Sequence, residues 1–118
     1  MLSRERRIAP KSLFKEIFHK GKFFFSPCVA LRILATASPK TQFAFIVSAS
    51  VAKKATERNK IKRRLRAIVY KNLSMIKEGY AVLVFFKKEA LGLDFQELEK
   101  EVLSIFFRAK IVSSRSKG

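Results

Sequence analysis

The sequence predicts a single α+β domain, a two-layer α-β sandwich in which helices pack on one side of a small, mostly antiparallel sheet. The chain has 118 residues, of which 48% are hydrophobic, so it can build one core. Some segments place apolar residues at helical spacing, and others follow strand-like patterns. No internal repeat or long linker divides the chain. We therefore expect one domain over residues 1–118, with flexible ends at residues 1–9 and 113–118.

The first helix is predicted over residues 10–20, where apolar residues recur at helical spacing, and Gly21 follows as a helix-ending residue. Residues 23–36 predict a strand, because apolar side chains alternate after Pro27. This segment is long enough for a further strand to be split from its start.

The next strand is predicted over residues 43–47, which are rich in β-branched and aromatic types. The short turn at residues 38–40 suggests that it forms an antiparallel hairpin with the preceding strand. A helix then follows, with Thr56 as a candidate N-cap, and we expect it to run to about Lys77.

Residues 81–86 form a continuously apolar run, which predicts a central strand buried on both faces. The final helix begins with a capping box made by Asp94 and Glu97. Its apolar stripe consists of Leu98, Val102, Ile105, Phe106 and Ala109. The predicted element order is α-β-β-(β)-α-β-α.

Residues 53–66 are the most informative stretch, since eight of the fourteen are Lys or Arg. Helical spacing puts Ile61, Leu65 and Ile68 on one face. A different face carries Arg58, Asn59, Lys62, Arg63 and Arg66. A solvated face or a localisation signal is the plain alternative, but an oriented face rich in arginine favours a polyanion, and nucleic acid is the first candidate. The pattern does not decide between RNA and DNA.

The charge balance agrees with such a partner. Lys and Arg number 26 against 9 acidic residues, which gives a net charge of +17. An anionic membrane surface or compacted DNA could also neutralise this charge, but the longest apolar run is too short to span a bilayer. The single cysteine, Cys28, permits no intrachain disulfide, so we expect a cytoplasmic protein.

The sequence contains few residues that could form an active site within the protein itself. His19 has no partner at metal-ligand spacing, and we expect Cys28 to be a buried, inert thiol. No pair of carboxylates stands out as general acid and base, so we assign no catalytic residue and no metal ligand. Phe14 and Phe18 could belong to the core, or they could line a groove and stack on bases.

Val47-Ser48 and Lys53-Lys54-Ala55 precede the run from Arg58 to Arg66. Together they resemble the arginine-rich helix signature of the bacterial ribonuclease P protein component. Residues 13–21, with their aromatic pair, basic residue and glycine, resemble the family's first helix. Residues 80–88 resemble its last strand and the lysines that follow.

The resemblance implies a left-handed β-α-β crossover, against the usual preference. It also implies a subunit of an endoribonuclease that removes the 5′ leader from precursor tRNA. The implied partners are a catalytic RNA and precursor tRNA, with no membrane and no obligate protein partner. The resemblance further implies that the chemistry is carried by the RNA and by Mg²⁺ held mainly by RNA and substrate.

The predicted site residues, from the residue pattern and the resemblance together, fall into two groups. The RNA-binding residues are Lys53, Lys54, Arg58, Asn59, Lys60, Lys62, Arg63 and Arg66. The residues of the leader groove are Phe14, Phe18, Arg32 and Lys87.

The chain departs from the family at three places. Lys60 replaces a usual arginine, which loses bidentate recognition, and Arg32 stands where some members have an aromatic residue. Ala49-Ser50 replaces residues that are often lysines. The remaining alternative is a basic ribosomal protein or RNA chaperone with no enzymatic partner.

Overall fold

The computed structural model describes residues 6–8 and 11–112, with side chains from residue 13 onward in the longer range. The α+β class is confirmed, and the optional extra strand is present as β1. In chain order the elements are α1 (Lys11–Lys20), β1 (Lys22–Phe25), β2 (Val29–Ala35), β3 (Gln42–Ile46), α2 (Ala55–Lys71), β4 (Tyr80–Phe86) and α3 (Phe95–Arg108). Short 3-10 turns lie at Leu73–Met75 and Lys88–Ala90.

The four strands form one sheet in the order β1-β2-β4-β3. The β1–β2 and β2–β4 pairs are antiparallel, and β3 runs parallel to β4. The predicted central strand is confirmed, because β4 is paired along both edges and its residues from Ala81 to Val84 are fully buried. β3, α2 and β4 form a parallel β-α-β unit, whose left-handed crossover stays a prediction.

The predicted hairpin between the strand at residues 23–36 and the strand at residues 43–47 is wrong, since β4 lies between β2 and β3. The apolar side chains of β4 bury the strand, so its backbone N–H and C=O groups cannot bond to water. Neighbouring strands on both sides must supply their hydrogen-bond partners. The connection at residues 36–41 is long enough to cross the width of one intervening strand, about 10 Å between β2 and β3. The apolar run of β4 indicates a central strand, but local sequence pattern does not identify the two strands that flank it.

The two faces of the sheet are covered by different helices. Val29, Leu31 and Ile33 of β2 point to the core beneath α2 and α3, which we call the α2–α3 face. The alternate residues point to the opposite face, where Ile17 of α1 packs on Ala81 and Leu83, and we call this the α1 face. The expectation that all helices share one side is therefore wrong for α1.

Both ends of α2 differ from the prediction. The N-cap is Lys54 rather than Thr56, because the carbonyl of Lys54 accepts hydrogen bonds from the amides of Glu57 and Arg58. The helix ends at Lys71, before the predicted Lys77. Asn72 stops it: its side-chain amide donates to the carbonyl of Ile68 (2.8 Å) and to Glu99 on α3 (2.9 Å).

The ends of α1 and α3 agree better with the sequence. The Asp94–Glu97 capping box is confirmed, with both reciprocal hydrogen bonds formed. Gly21 follows α1 as expected. The reason that this position needs glycine is the lack of room for a side chain. A Cβ added at Gly21 would lie 2.5 Å from the carbonyl oxygen of Ile17, a distance that real Cβ contacts do not reach.

Residues 6–8 are part of the fold, although residues 1–9 were expected to be flexible. The amide of Ile8 donates to the carbonyl of Phe43 (3.1 Å), and the Ile8 side chain is buried. Arg6 makes a two-pronged contact with the carboxylate of Glu78, at 2.9 and 2.8 Å. Residues 1–5, 9–10 and 113–118 lie outside the described residues, and so does the predicted start of the first helix at residue 10.

Glu78 generates a stability prediction. Its hydrogen bond from Arg6, aided by the amide of Thr41 and the positive charge nearby, holds the Glu78 pKa at about 2 instead of 4.5. A depressed folded-state pKa stabilises the fold above the unfolded value, and this stabilisation is lost as the pH falls toward 2. Because this carboxylate is partly exposed, we expect Glu78→Gln to lower the free energy of unfolding by about 1 kcal/mol at neutral pH.

Urea unfolding of both proteins at neutral pH and near pH 2 checks this expectation. The difference between them should shrink as the pH falls. Glu16→Gln is the matched control, because Glu16 only approaches Lys20 at 3.8 Å on the exposed surface. A Glu78→Gln deficit that stayed constant from neutral to acid pH would contradict the role of the carboxylate.

Candidate nucleic-acid interface

α2 separates its apolar and cationic residues in the way the sequence predicts. Leu65 and Ile68 are buried on the α2–α3 face, and Ile61 packs at the margin of the same core. This orientation turns the rest of the helix outward. The exposed members of the RNA-binding set are Lys53, Lys54, Asn59, Lys60 and Arg63, whereas Arg58, Lys62 and Arg66 are half-buried.

Arg58 has an internal structural role that the sequence did not reveal. Its Nη1 donates to the carbonyl of Ala52 (2.9 Å) and to the carbonyl of Lys53 (2.8 Å). The N-cap residue Lys54 supplies no side-chain cap, so Arg58 holds the loop against the start of α2. Arg58 thereby fixes the position from which Lys53 and Lys54 project.

Arg66 lies at the other end of the cationic face, next to the outer edge of β3. It lines a small cavity together with Arg7 and the side chains of Phe43 and Phe45. Arg7 belongs to the segment that bridges to β3, which brings a cation from the start of the chain beside α2. Sequence reasoning missed Arg7 because no periodic pattern marks residues 6–8.

The four residues predicted to line a groove lie on the α1 face, where Phe18 and Arg32 contact each other, and the four differ in exposure. Phe14 is half-buried in the cluster beneath α1, so it belongs largely to the core. Phe18 is 46% exposed and meets Phe85 edge to face, with 6.2 Å between ring centroids. We use the name α1 groove for the surface formed by Phe18, Phe85, Arg32 and Lys87.

Arg32 occupies the middle of the α1 groove. Its guanidinium lies 5.1 Å from the centroid of the Phe18 ring and 5.0 Å from that of Phe23. It also donates to the carbonyl of Phe18 at 3.4 Å, a long and therefore weak hydrogen bond. These two cation–π contacts hold the guanidinium beside both rings, and Arg32 stays partly exposed.

Lys87 marks the far end of the groove, just after β4. Its ammonium donates to the carbonyl of Ser26 (3.0 Å) and lies 3.5 Å from the centroid of the Phe25 ring. The sequence predicted Lys87 but missed Phe85, Phe23 and Phe25. A signal for the last two was present, because β1 alternates and would place residues 23 and 25 on the same face.

A further cationic cavity of about 620 Å³ lies at the ends of α1 and α3. Its charged lining residues are Lys20, Lys22, Arg108 and Lys110, and Tyr80 forms part of its wall. These cations continue the positive surface past the end of α1.

The remaining chemistry-bearing side chains form no reactive cluster. Burial, with smaller contributions from Glu101 and Glu89, raises the pKa of the Cys28 thiol, so the half-buried sulfur is protonated and unreactive at neutral pH. His19 is exposed at the end of α1. Within the described ranges, no three His, Cys, Asp or Glu side chains gather as ligands for a metal ion. Over the same ranges, no helix has the length and apolarity needed to cross a bilayer.

Comparisons with known proteins identify chains that are similar to this one. The family model for ribonuclease P matches residues 2–110. The protein component of ribonuclease P from Pseudanabaena is 31% identical over 113 residues, covering 95% of this chain and 97% of the relative. The corresponding protein of Synechocystis is 28% identical over 100 residues, covering 84% and 81%.

Two solved structures share the fold. The ribonuclease P protein of Thermotoga maritima superposes with a TM-score of 0.80 at 24% identity, covering 86% of this chain and 96% of that one. The protein of Staphylococcus aureus superposes with a TM-score of 0.82 at 20% identity, covering 92% and 98%.

The contrast between Arg63 and Arg58 generates a prediction for α2. Arg63→Ala should reduce the slope of log affinity against log salt by about 0.9 for a structured RNA, through the loss of one phosphate contact, and leave the melting temperature unchanged. Arg58→Ala should also lower the melting temperature, since it releases the loop before α2. Salt titrations and thermal melts measure the two effects separately.

Lys100→Ala provides the matched control, because Lys100 is an exposed cation that lies on α3 and not on α2. Its salt slope should equal that of the wild type. Equal slopes for Arg63→Ala and the wild type would show that this face of α2 does not touch RNA.

Proposed function

The chain belongs to the ribonuclease P protein component family, and on that premise we propose that α2 binds the catalytic RNA while the α1 groove binds the 5′ leader of precursor tRNA. The protein is thus a subunit of a ribonuclease that generates the mature 5′ end of tRNA. The family assignment gives no support to the alternative of a ribosomal protein or RNA chaperone.

The observation that carries this assignment of surfaces is their position on opposite sides of one sheet. α2 packs on the α2–α3 face through Leu65 and Ile68, whereas Phe18 and Arg32 lie on the α1 face. A subunit that holds a catalytic RNA and a substrate together needs two surfaces that can be occupied at once. The sheet and its side chains separate these two surfaces by about 10 Å or more.

The character of each surface fits its proposed RNA. α2 is a rigid helix whose exposed Arg63 offers a planar fork for phosphate oxygens, which suits the backbone of a folded RNA. The α1 groove combines the exposed ring of Phe18 with the guanidinium of Arg32. Rings and cations together favour a single strand, because only unpaired bases offer their faces for stacking.

We propose that the protein binds and orients the RNAs and that hydrolysis is carried by the catalytic RNA. Mg²⁺ would be held by the RNA and the substrate, since the described residues of this chain supply no cluster of carboxylate ligands. The same proposal includes a cytoplasmic location and no obligate protein partner.

Cleavage of precursor tRNA by a ribonuclease P RNA, with and without this protein at limiting Mg²⁺, tests the function. We expect the protein to raise the cleavage rate at least tenfold, because its cations offset repulsion between RNA phosphates. Polylysine at equal total charge is the control for charge alone. A rate unchanged by the protein, or matched by polylysine, would overturn the proposed function.

A further inference from the structure

Strand β1 carries two large aromatic side chains that the fold does not bury. Phe23 is 52% exposed and Phe25 is 57% exposed, and their ring centroids lie 6.1 Å apart. We propose that these two rings form a second base-stacking surface, the β1 platform, which holds further nucleotides of the single-stranded leader beyond the α1 groove. This inference rests on the proposed function of the groove.

The β1 platform is continuous with the α1 groove through the register of the sheet. Phe23 lies opposite Arg32, and Phe25 lies opposite Ala30, so both rings share the α1 face. Arg32 places its guanidinium between the rings of Phe18 and Phe23, which joins groove and platform. A strand of RNA that leaves Phe18 therefore meets Phe23 next.

Protein stability does not account for the two exposed rings. Phe24, between them, points to the other face and packs against the main core, so the link between β1 and the main core is made by Phe24 and not by the two exposed rings. β1 is an edge strand, and exposed apolar residues on an edge favour unwanted strand pairing. A ligand that covers these rings explains why this cost is tolerated.

The backbone beneath the platform is held firmly by cations. Arg108 of α3 donates to the carbonyl of Phe25, and Lys87 donates to the carbonyl of Ser26. The amide of Ser26 closes the turn by bonding to the carbonyl of Val29 (3.0 Å). The rings are thus presented by a fixed strand, which lowers the entropic cost of binding.

Charge selects RNA over a protein partner for this surface. Arg32 and Lys87 contact the rings directly, and the chain carries a net charge of +17. A second copy of this chain docked along β1 would bring like charges together, whereas a phosphate backbone neutralises them. Alternating rings and cations are also the pattern that binds single-stranded nucleic acid without sequence preference.

Abasic scanning of the leader tests the β1 platform. Precursor tRNAs with one abasic nucleotide at each leader position are titrated against the holoenzyme assembled with wild-type protein or with the Phe23→Leu/Phe25→Leu variant. In the wild type, we expect a loss of about fivefold or more at each position that stacks. The double variant should bind precursor tRNA with the intact leader more weakly by a similar factor. At one or two of those positions, an abasic nucleotide should no longer weaken its binding.

Two further variants control for folding and for general loss of aromatic surface. Phe23→Tyr/Phe25→Tyr keeps both rings and should retain the wild-type profile. Tyr70→Leu removes an exposed ring from α2, on the opposite side of the sheet, and should leave every leader position as sensitive as in the wild type. Crosslinking of a photoreactive leader to wild-type protein is an independent readout, in which adducts at residues 22–25 support the proposal.

The outcomes separate this inference from the proposed function. If wild-type holoenzyme bound precursor and mature tRNA equally, the leader assignment of the groove would fail. Suppose that abasic nucleotides weaken binding to the wild type and that the Leu double variant shows the same loss at every leader position: only the β1 platform would then be overturned. Crosslinks confined to Phe18 and Phe85 would have the same meaning. If the wild-type protein formed a dimer and the Leu double variant did not, the two rings would serve self-association, and the β1 platform would again be overturned.

Discussion

The structure depends on the burial of one strand. β4 is apolar along its length, and its residues from Ala81 to Val84 have no exposed surface. Such a strand must be paired along both edges and covered on both faces, because its side chains alternate between them. β2 and β3 satisfy the edges, α2 and α3 cover one face, and α1 covers the other. The two-sided architecture follows from this requirement.

The two separate surfaces that we propose to bind RNA are a consequence of that architecture. α2 needs only a narrow apolar stripe to cover its part of the core, so most of its circumference is available for cations. α1 is short and covers only part of the opposite face, which leaves Phe18, Arg32 and Phe85 at the surface. The positive charge that these surfaces concentrate opposes compaction of the free protein, and an RNA partner relieves that repulsion.

Features written in local sequence could be predicted, and features set by tertiary pairing could not. The capping box at Asp94 and the apolar run of β4 depend on neighbouring residues, and both are confirmed. The position of β4 between β2 and β3 depends on distant segments, so the predicted hairpin was wrong. The hydrogen bonds from Arg58 to the loop carbonyls could not be predicted either, because a helical wheel gives the face on which a side chain lies and not the atoms to which it bonds.

The most direct test of the two-surface account is a double-mutant cycle between Arg63→Ala and Phe18→Leu in the reconstituted holoenzyme. Two affinities are measured for each protein: that for the catalytic RNA, and the preference of the assembled enzyme for precursor over mature tRNA. The account predicts that Arg63→Ala weakens only the first, that Phe18→Leu weakens only the second, and that the coupling stays below about 0.5 kcal/mol. A Phe18→Leu protein that lost affinity for the catalytic RNA, or a coupling of about 1 kcal/mol or more, would contradict it.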